Sequence, residues 1–250
     1  MEIPTNTKNF GWIPDKVDER DFKYAAIREI QIDKVPKRVN LQDNMTNVEH
    51  QGWTSSCVAN ACVGALEFLY VMRILKKRWP CLKPRDYSRM FVYWYARKLD
   101  NIHNSDSGSV IRTAMKAMQQ FGVCQEKYWE FEYKNLYRQP SKEARERSTR
   151  RKVLDYYKVE SVNEIICALA EERPVIFGAA IYDSFMDPEP EQAKILMPDP
   201  FCIQVGRLFE PTAGHDDVAS SVAVDVAGSD AMSVGFSGKP VPFPGDFVFS

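Results

Sequence analysis

Apolar residues recur at helical spacing between residues 58 and 75. They fall three or four positions apart, at Val58, Ala61, Cys62, Ala65, Leu66, Leu69, Met72 and Leu75. Residues with this spacing share one face of an α-helix. The pattern predicts a long helix that is buried at the centre of a mainly helical region.

Two further helices are predicted downstream. Ser88 is a candidate N-cap for a helix over Met90–Leu99, whose many aromatic residues indicate core packing. A second helix is expected over Val110–Phe121, closed by Gly122 as the residue after the helix. The first half of the chain is therefore expected to be mainly helical.

The second half mixes helix with strand. Ser161 and Glu164 have the spacing of a capping box, which predicts a helix to about Glu172. Pro174 ends that helix, and the apolar run Val175–Tyr182 indicates a buried strand. Beyond Arg207 the chain is acidic and rich in Val, Ala, Ser and Gly, with a loose alternation that is compatible with strands.

Composition narrows the class of protein. The chain has 250 residues, of which 44% are hydrophobic and 27% charged, and its net charge is −1. The balance gives no sign of a nucleic-acid or membrane surface. The first twenty residues lack a long apolar run, and we find no stretch of about 18 consecutive apolar residues. We therefore expect no signal peptide, no membrane span and a cytoplasmic location.

Cysteine and histidine usage argues against a metal site. The six cysteines form no Cys-x-x-Cys pair, and there are only three histidines. We expect reduced thiols, no metal and no cofactor. An extracellular disulfide framework is the alternative, but no secretion signal accompanies it.

Cys57 is the candidate nucleophile. It follows Ser55 and Ser56 at the start of the long predicted helix, where backbone N–H groups and the helix dipole favour a thiolate. A neighbouring imidazolium would lower the thiol pKa further. Gln51, six positions upstream, can donate a side-chain N–H to an oxyanion formed beside the thiolate.

A thiol nucleophile needs a base, and the three histidines differ as candidates. His215 follows Ala213 and Gly214, which leave room for a cleft, and we rank it first. His50 adjoins Gln51 and ranks second. His103 lies in a polar loop and is expected to face solvent.

The segment Gln51-Gly52-x-x-x-Ser56-Cys57 resembles the active-site segment of papain-like cysteine peptidases, especially their prokaryotic and viral branch. The resemblance extends over roughly residues 10 to 215. Its other stretches begin at Gly11, Val35, Asp106, Phe121 and Arg173. Together they identify the chain as a papain-like protein.

The resemblance implies an α+β, two-lobe papain-like fold in a single domain over 1–250. Residues 44–135 would form the mainly helical lobe, and 136–250 the β-rich lobe with 1–43 packed on it. Cys57 and His215 would face each other across a cleft that holds an extended peptide or protein substrate. The implied catalytic set is Cys57, His215 and Gln51 in a monomeric cysteine-type endopeptidase. Ser56, Ser107 and Gly108 would line the substrate site.

The tail departs from the family pattern. No asparagine or tryptophan follows His215, so the usual imidazole-orienting Asn is missing. Asp230 is a candidate replacement, because a carboxylate can accept the ring N–H. Alternatively, residues 216–250 are simply divergent or are a replaced terminus, and their place in the fold is doubtful.

Three other functions stay open at this point. A catalytically impaired homologue would use the cleft to bind peptides. A different thiol acyl transferase would use the same Cys–His pair. The basic run over residues 141–152 has six basic and two acidic residues, but without interleaved aromatic residues it is better interpreted as a solvated face than as a nucleic-acid site.

Overall fold

A computed structural model describes residues 11–29, 31–36, 38–76, 83–179, 203–210, 223–227, 231–235 and 247–249. From residue 179 onward it describes the backbone alone. Helices α1 to α5 span Cys57–Lys76, Arg89–Leu99, Ile111–Gln120, Lys142–Ser148 and Val162–Ala170. Strands β1 to β8 span Trp12–Ile13, Ser109–Val110, Asp155–Lys158, Ile176–Ala179, Ile203–Glu210, Ala223–Ala227, Ala231–Gly235 and Phe247–Phe249.

Helix α1 lies at the centre of the core, as its periodicity predicts. Its buried face includes Ala59, Cys62, Val63, Ala65 and Phe68, which are inaccessible to solvent. Helices α2 and α3 pack against it and against each other. By length and composition α1 would also pass for a membrane span, but 67% of its most apolar window is buried inside the protein. It therefore has the burial of a core helix.

The predicted helix ends are confirmed. Ser88 Oγ accepts a hydrogen bond from the Phe91 N–H at 3.1 Å, which caps α2. Gly122 closes α3 with φ +76°, where a side chain would be strained. Ser161 Oγ accepts from the Glu164 N–H at 3.2 Å at the start of α5. These local signals worked because each is satisfied within a few residues.

Two small sheets join the segments around the helical core. β1 pairs in parallel with β2, with Trp12 opposite Ser109. β5 is the central strand of an antiparallel sheet with β3 on one side and β4 on the other. The predicted strand over Val175–Tyr182 is observed as β4, beginning at Ile176 and described as far as Ala179.

The tail contains strands, as its composition allowed. β6, β7 and β8 form a separate three-stranded antiparallel sheet in that order. His215 and Asp230 both lie outside the described residues. The division into lobes at residue 136 stays a prediction.

Candidate functional site

Cys57 is the first residue of α1, where the sequence predicted it. The Asn60 N–H donates to the Ser56 carbonyl at 3.0 Å, so Ser56 occupies the capping position. The Ser56 hydroxyl, however, bonds the Thr54 hydroxyl at 2.7 Å and the Asn60 side-chain amide at 2.9 Å. The predicted helix start is right. The described hydrogen bonds of the Ser56 hydroxyl, however, join it to side chains and not to a backbone N–H of the first helical turn.

Gln51 is held in the loop that precedes Cys57. Its Nε2 donates to the Thr54 carbonyl at 2.7 Å, and the Thr54 hydroxyl donates back to the Gln51 carbonyl at 2.7 Å. Gly52 turns this loop with φ +57°. The reciprocal bonds fix a side-chain amide donor on the loop that leads to the thiol.

Asp106 anchors the cysteine loop from the opposite side, a role that the sequence did not reveal. Its carboxylate accepts from the Ser55 N–H at 3.0 Å and 3.2 Å, and from the Tyr93 hydroxyl at 2.5 Å. The Tyr93 oxygen accepts in turn from the Gly108 N–H at 3.1 Å. One carboxylate thus connects the residues before Cys57 with the predicted substrate-binding glycine.

A buried arginine supports this connection. Arg97 has no solvent-accessible surface, and its guanidinium carbon lies 4.0 Å from the centre of the Tyr93 ring. Its Nη1 donates to the Ser105 carbonyl at 2.6 Å. Burial lowers the pKa of Arg97, while Tyr93 and Asp106 oppose that shift. The arginine orders the loop that carries Asp106.

Gly11, at the start of the segment Gly11–Ile13, lies against the loop before Cys57 and against Gly108. A Cβ on Gly11 would come within 1.6 Å of the Ser55 carbonyl oxygen, and one on Gly108 within 2.1 Å of the Gly11 oxygen. The Gly11 oxygen accepts from the Ser109 N–H at 2.8 Å. The chain's own backbone therefore lies against Gly108, one of the residues predicted to line the substrate site, and against Ser55 of the loop before Cys57.

The electrostatics of the thiol reflect this enclosure. Burial raises the pKa of the Cys57 thiol, while the N–H groups of Gly11, Val58 and Cys57 itself oppose that shift. The helix start therefore supplies the thiolate-favouring donors that were predicted. They do not outweigh burial, and the imidazolium expected to complete the effect falls on His215, outside the described residues.

Cys57 differs from the other cysteines whose side chains are described. Cys62, Cys124 and Cys167 are free and buried, whereas Cys57 is only partly buried. Burial raises the pKa of Cys124 to about 12 and that of Cys62 further still. Among the described residues, no three His, Cys, Asp or Glu side chains are placed to hold a metal ion. Among these four cysteines, the one with solvent access is therefore Cys57, which the motif predicted as the nucleophile.

Two histidines can be assessed. His50 is exposed, and its Nδ1 accepts from the Gly52 N–H at 2.9 Å, so it stabilises the loop turn. His103 was expected to face solvent, and that expectation is wrong. It is half-buried, with its ring edge-to-face against Trp94 at 5.4 Å.

The remaining predicted site residues are placed as follows. Ser56, the residue directly before Cys57, is fully buried, and Ser107 is exposed. Gly108 is buried with φ +83°, a conformation that suits glycine. Gly108 and Ser55 are both held by the Tyr93–Asp106 pair, so they share one rigid frame.

No protein-family model matches the chain. It is 29% identical over 232 residues to an uncharacterized peptidase C1-like protein of Acanthamoeba polyphaga mimivirus, covering 82% of this chain and 72% of that protein. Among solved structures it is similar to xylellain, a cysteine protease from Xylella fastidiosa, with 26% identity, a TM-score of 0.73 and coverage of 99% and 92%. A cysteine protease from Carica candamarcensis shares the fold at 15% identity and a TM-score of 0.55, over 86% of this chain and 90% of that one.

Proposed function

We propose that this chain, which is a papain-like cysteine peptidase of the C1 type, cleaves peptide bonds with the Cys57 thiolate as nucleophile. His215 is assigned as the base, and Gln51 with the Cys57 N–H as the oxyanion donors. The observation that carries the proposal is the position of Cys57. Its partly accessible thiol begins a buried helix, directly after a loop in which Gln51 is held by Thr54.

The reaction divides into two steps. The Cys57 thiolate attacks the scissile carbonyl carbon, and the carbonyl oxygen takes up negative charge that N–H donors stabilise. Collapse of this intermediate breaks the C–N bond, and His215 gives its proton to the leaving amine. Water, deprotonated by His215, then attacks the thioester and releases the acid product and the thiolate.

Chemical labelling of the folded protein tests the nucleophile. We expect iodoacetamide or an epoxide probe to modify Cys57 selectively near neutral pH, because the three buried cysteines described above are shielded. Cys57→Ala should abolish the label that peptide mapping locates at residue 57, together with peptide hydrolysis, and His215→Ala should abolish hydrolysis. A folded protein whose Cys57 resists both probes would contradict the assignment.

A second candidate is a homologue that binds peptides without cleaving them. Two observations favour it: the placement of Gly11–Ile13 against the site, and the lack of an asparagine after His215. It predicts saturable peptide binding with no product and no dependence on His215. Turnover that is lost in His215→Ala would exclude it.

The proposal also includes a third catalytic residue, an oligomeric state and a cellular location. Asp230 is proposed to orient the His215 imidazole, so Asp230→Asn should lower kcat more than it changes KM. The protein is proposed to act as a cytoplasmic monomer on peptide or protein substrates, with 44–135 and 136–250 as its two lobes. Analytical ultracentrifugation of the full chain tests the monomer.

A further inference from the structure

A basic pocket lies between the short helix α4 and the segment that leads into α2. Its volume is about 210 Å³, and no carboxylate is among its lining residues, which are Arg85, Tyr87, Val123, Gln125, Tyr128, Arg147, Arg150 and Arg151. Four arginines therefore line one pocket in a chain whose net charge is −1. Three of the arginines belong to the basic run over 141–152, which the peptidase assignment leaves without a role.

The pocket is built on a hydrogen-bonded frame. The Val123 N–H donates to the Arg151 carbonyl at 2.8 Å, and the Ser148 hydroxyl donates to the Phe121 carbonyl at 2.7 Å. On the other side Tyr87 forms an antiparallel bridge with Gln125. A Cβ at Gly122 would come within 2.1 Å of the Ser148 carbonyl oxygen, so the two segments meet at backbone distance.

Two buried polar atoms in this pocket point to a ligand. The Tyr87 side chain is 1% exposed, and its hydroxyl lies beside the Arg151 and Arg85 guanidinium groups, which oppose the rise that burial causes in its pKa. Nε of Arg151 is also buried and makes no well-aligned hydrogen bond among the described residues. Unsatisfied buried polar atoms are costly. A bound oxyanion would accept from Nε of Arg151, with the Tyr87 hydroxyl beside it.

The arginines keep N–H donors for such a ligand, although Nη1 of Arg151 donates to the Arg150 carbonyl at 2.8 Å. Within the described residues, Arg147 is the pocket arginine with an ion-pair partner, Glu143 at 3.4 Å, and both side chains are well exposed. Its guanidinium carbon lies 4.9 Å from the centre of the Tyr128 ring, and that of Arg85 lies 4.8 Å from the Tyr70 ring. Stacking on an aromatic ring orients a guanidinium and leaves its N–H edge free to bind an oxyanion.

We propose that this pocket binds a phosphate oxyanion, either free or as a phosphomonoester, through its four guanidinium groups and the Tyr87 hydroxyl. The charge of a phosphate matches several converging arginines better than a single carboxylate does. A volume of about 210 Å³ is below the roughly 300–1,000 Å³ of pockets for drug-sized ligands. The site is therefore suited to one phosphate group.

Calorimetric titration of the full chain tests the proposal. Inorganic phosphate and O-phosphoserine are the probes, at constant ionic strength because exposed charges are screened by salt. We expect saturable 1:1 binding. Equal affinities indicate free phosphate as the ligand, and tighter binding of O-phosphoserine indicates a phosphomonoester.

Matched variants locate the binding. Arg151→Gln and Tyr87→Phe should each weaken phosphate binding about tenfold, or about 1.4 kcal/mol. Arg150→Gln should weaken it less, because that side chain is more exposed. Arg145→Gln, an exposed arginine on α4 outside the pocket, is the control and should bind as the parent does. Circular dichroism checks that each variant is folded.

Three outcomes would overturn the proposal. The first is no saturable phosphate binding by the folded parent. The second is equal weakening by Arg145→Gln and Arg151→Gln, which would indicate diffuse charge attraction. The third is a glutamate-rich peptide that binds the same residues more tightly than either phosphate, which would make the pocket a docking site for acidic proteins. None of these outcomes depends on the peptidase activity, so the two proposals fail separately.

Discussion

Cys57 and Glu67 lie on the same helix, and burial raises the pKa of both side chains. At Cys57 the opposing groups are backbone N–H donors, and the thiol keeps some contact with solvent. Glu67 is 3% exposed, and it accepts from the Tyr87 N–H at 2.8 Å and the Thr46 hydroxyl at 2.7 Å. One site retains access for a reactant, while the other ties three segments together.

The comparison shows that a shifted pKa alone does not identify a catalytic group. Burial brings the pKa of Glu67 to about 7, a value that would suit a general acid. It is nevertheless enclosed by the core, with donors that hold it in place. The pKa of Cys57 is less favourable for catalysis, but its thiol is partly accessible and directly follows the loop that carries Gln51. Solvent access and the neighbouring groups, rather than the pKa, distinguish the candidate nucleophile Cys57 from the structural Glu67.

The largest expected effect is a loss of catalytic rate on changing Gln51, in the loop before Cys57. Gln51→Ala should lower kcat by about 10²–10³-fold, because one oxyanion donor is removed, with a smaller change in KM. Steady-state kinetics with a fluorogenic peptide measures this effect. Gln42→Ala, an exposed glutamine in an upstream turn, is the control and should leave kcat unchanged. A Gln51→Ala variant with full kcat would remove Gln51 from the site.

Glu67→Gln should change stability rather than activity. The folded-state pKa is raised from 4.5 to about 7, so the folded protein holds a proton that the unfolded chain releases. The free energy of unfolding should therefore fall as pH rises from 4.5 to about 7, by about 3 kcal/mol from this group. In Glu67→Gln the part of the slope that comes from this group should disappear.

Urea unfolding at pH 5 and pH 8 measures the slope of the parent and of the variant. Glu126, whose pKa burial also raises to about 7, should leave a residual slope of comparable size in Glu67→Gln. Glu143→Gln, at an exposed position on α4, serves as the control with the parent's slope. Equal slopes in Glu67→Gln and the parent would show that Glu67 titrates normally in the folded state.

The smallest expected effect concerns access to the thiol. Trp12 packs against Gly178, where a Cβ would come within 2.0 Å of the indole ring. Trp12→Ala should loosen Gly11–Ile13 and raise the rate of Cys57 labelling by about threefold to tenfold, because local opening becomes easier. Trp53→Ala, at a side chain that is 80% exposed, should show a smaller change. An unchanged rate in Trp12→Ala would mean that this segment does not limit access.

Local signals predicted the helical part of the fold closely. The apolar spacing predicted a helix from Val58 to Leu75, and α1 runs from Cys57 to Lys76. Ser88 and Gly122 were identified as helix ends because an N-cap hydrogen bond and a positive φ after a helix both depend only on residues close by in the chain. His103 was misjudged, since a polar loop sequence does not show that its ring packs on Trp94.

The site was predicted only in part, for the same reason. Gln51 and Cys57 lie within one loop and one helix start, so their spacing is informative. The contacts of Asp106 with Ser55 and Tyr93 join segments far apart in sequence. No periodicity or cap connects Gly11 with Ser55 and Gly108 either. Gly11, Tyr93 and Asp106 are so far apart along the chain that their spacing forms no recognisable motif.

The sequence by itself determined the helix that begins at Cys57, the choice of Cys57 as the candidate nucleophile and the resemblance to papain-like peptidases, because each rests on residues close together along the chain. Only the tertiary structure decided that the backbone of Gly11 lies against the site and that Asp106 holds the cysteine loop. The tertiary structure also showed that arginines 85, 147, 150 and 151 line one pocket. Such contacts depend on how distant segments pack, and burial then sets which side chains stay reachable and which become part of the core.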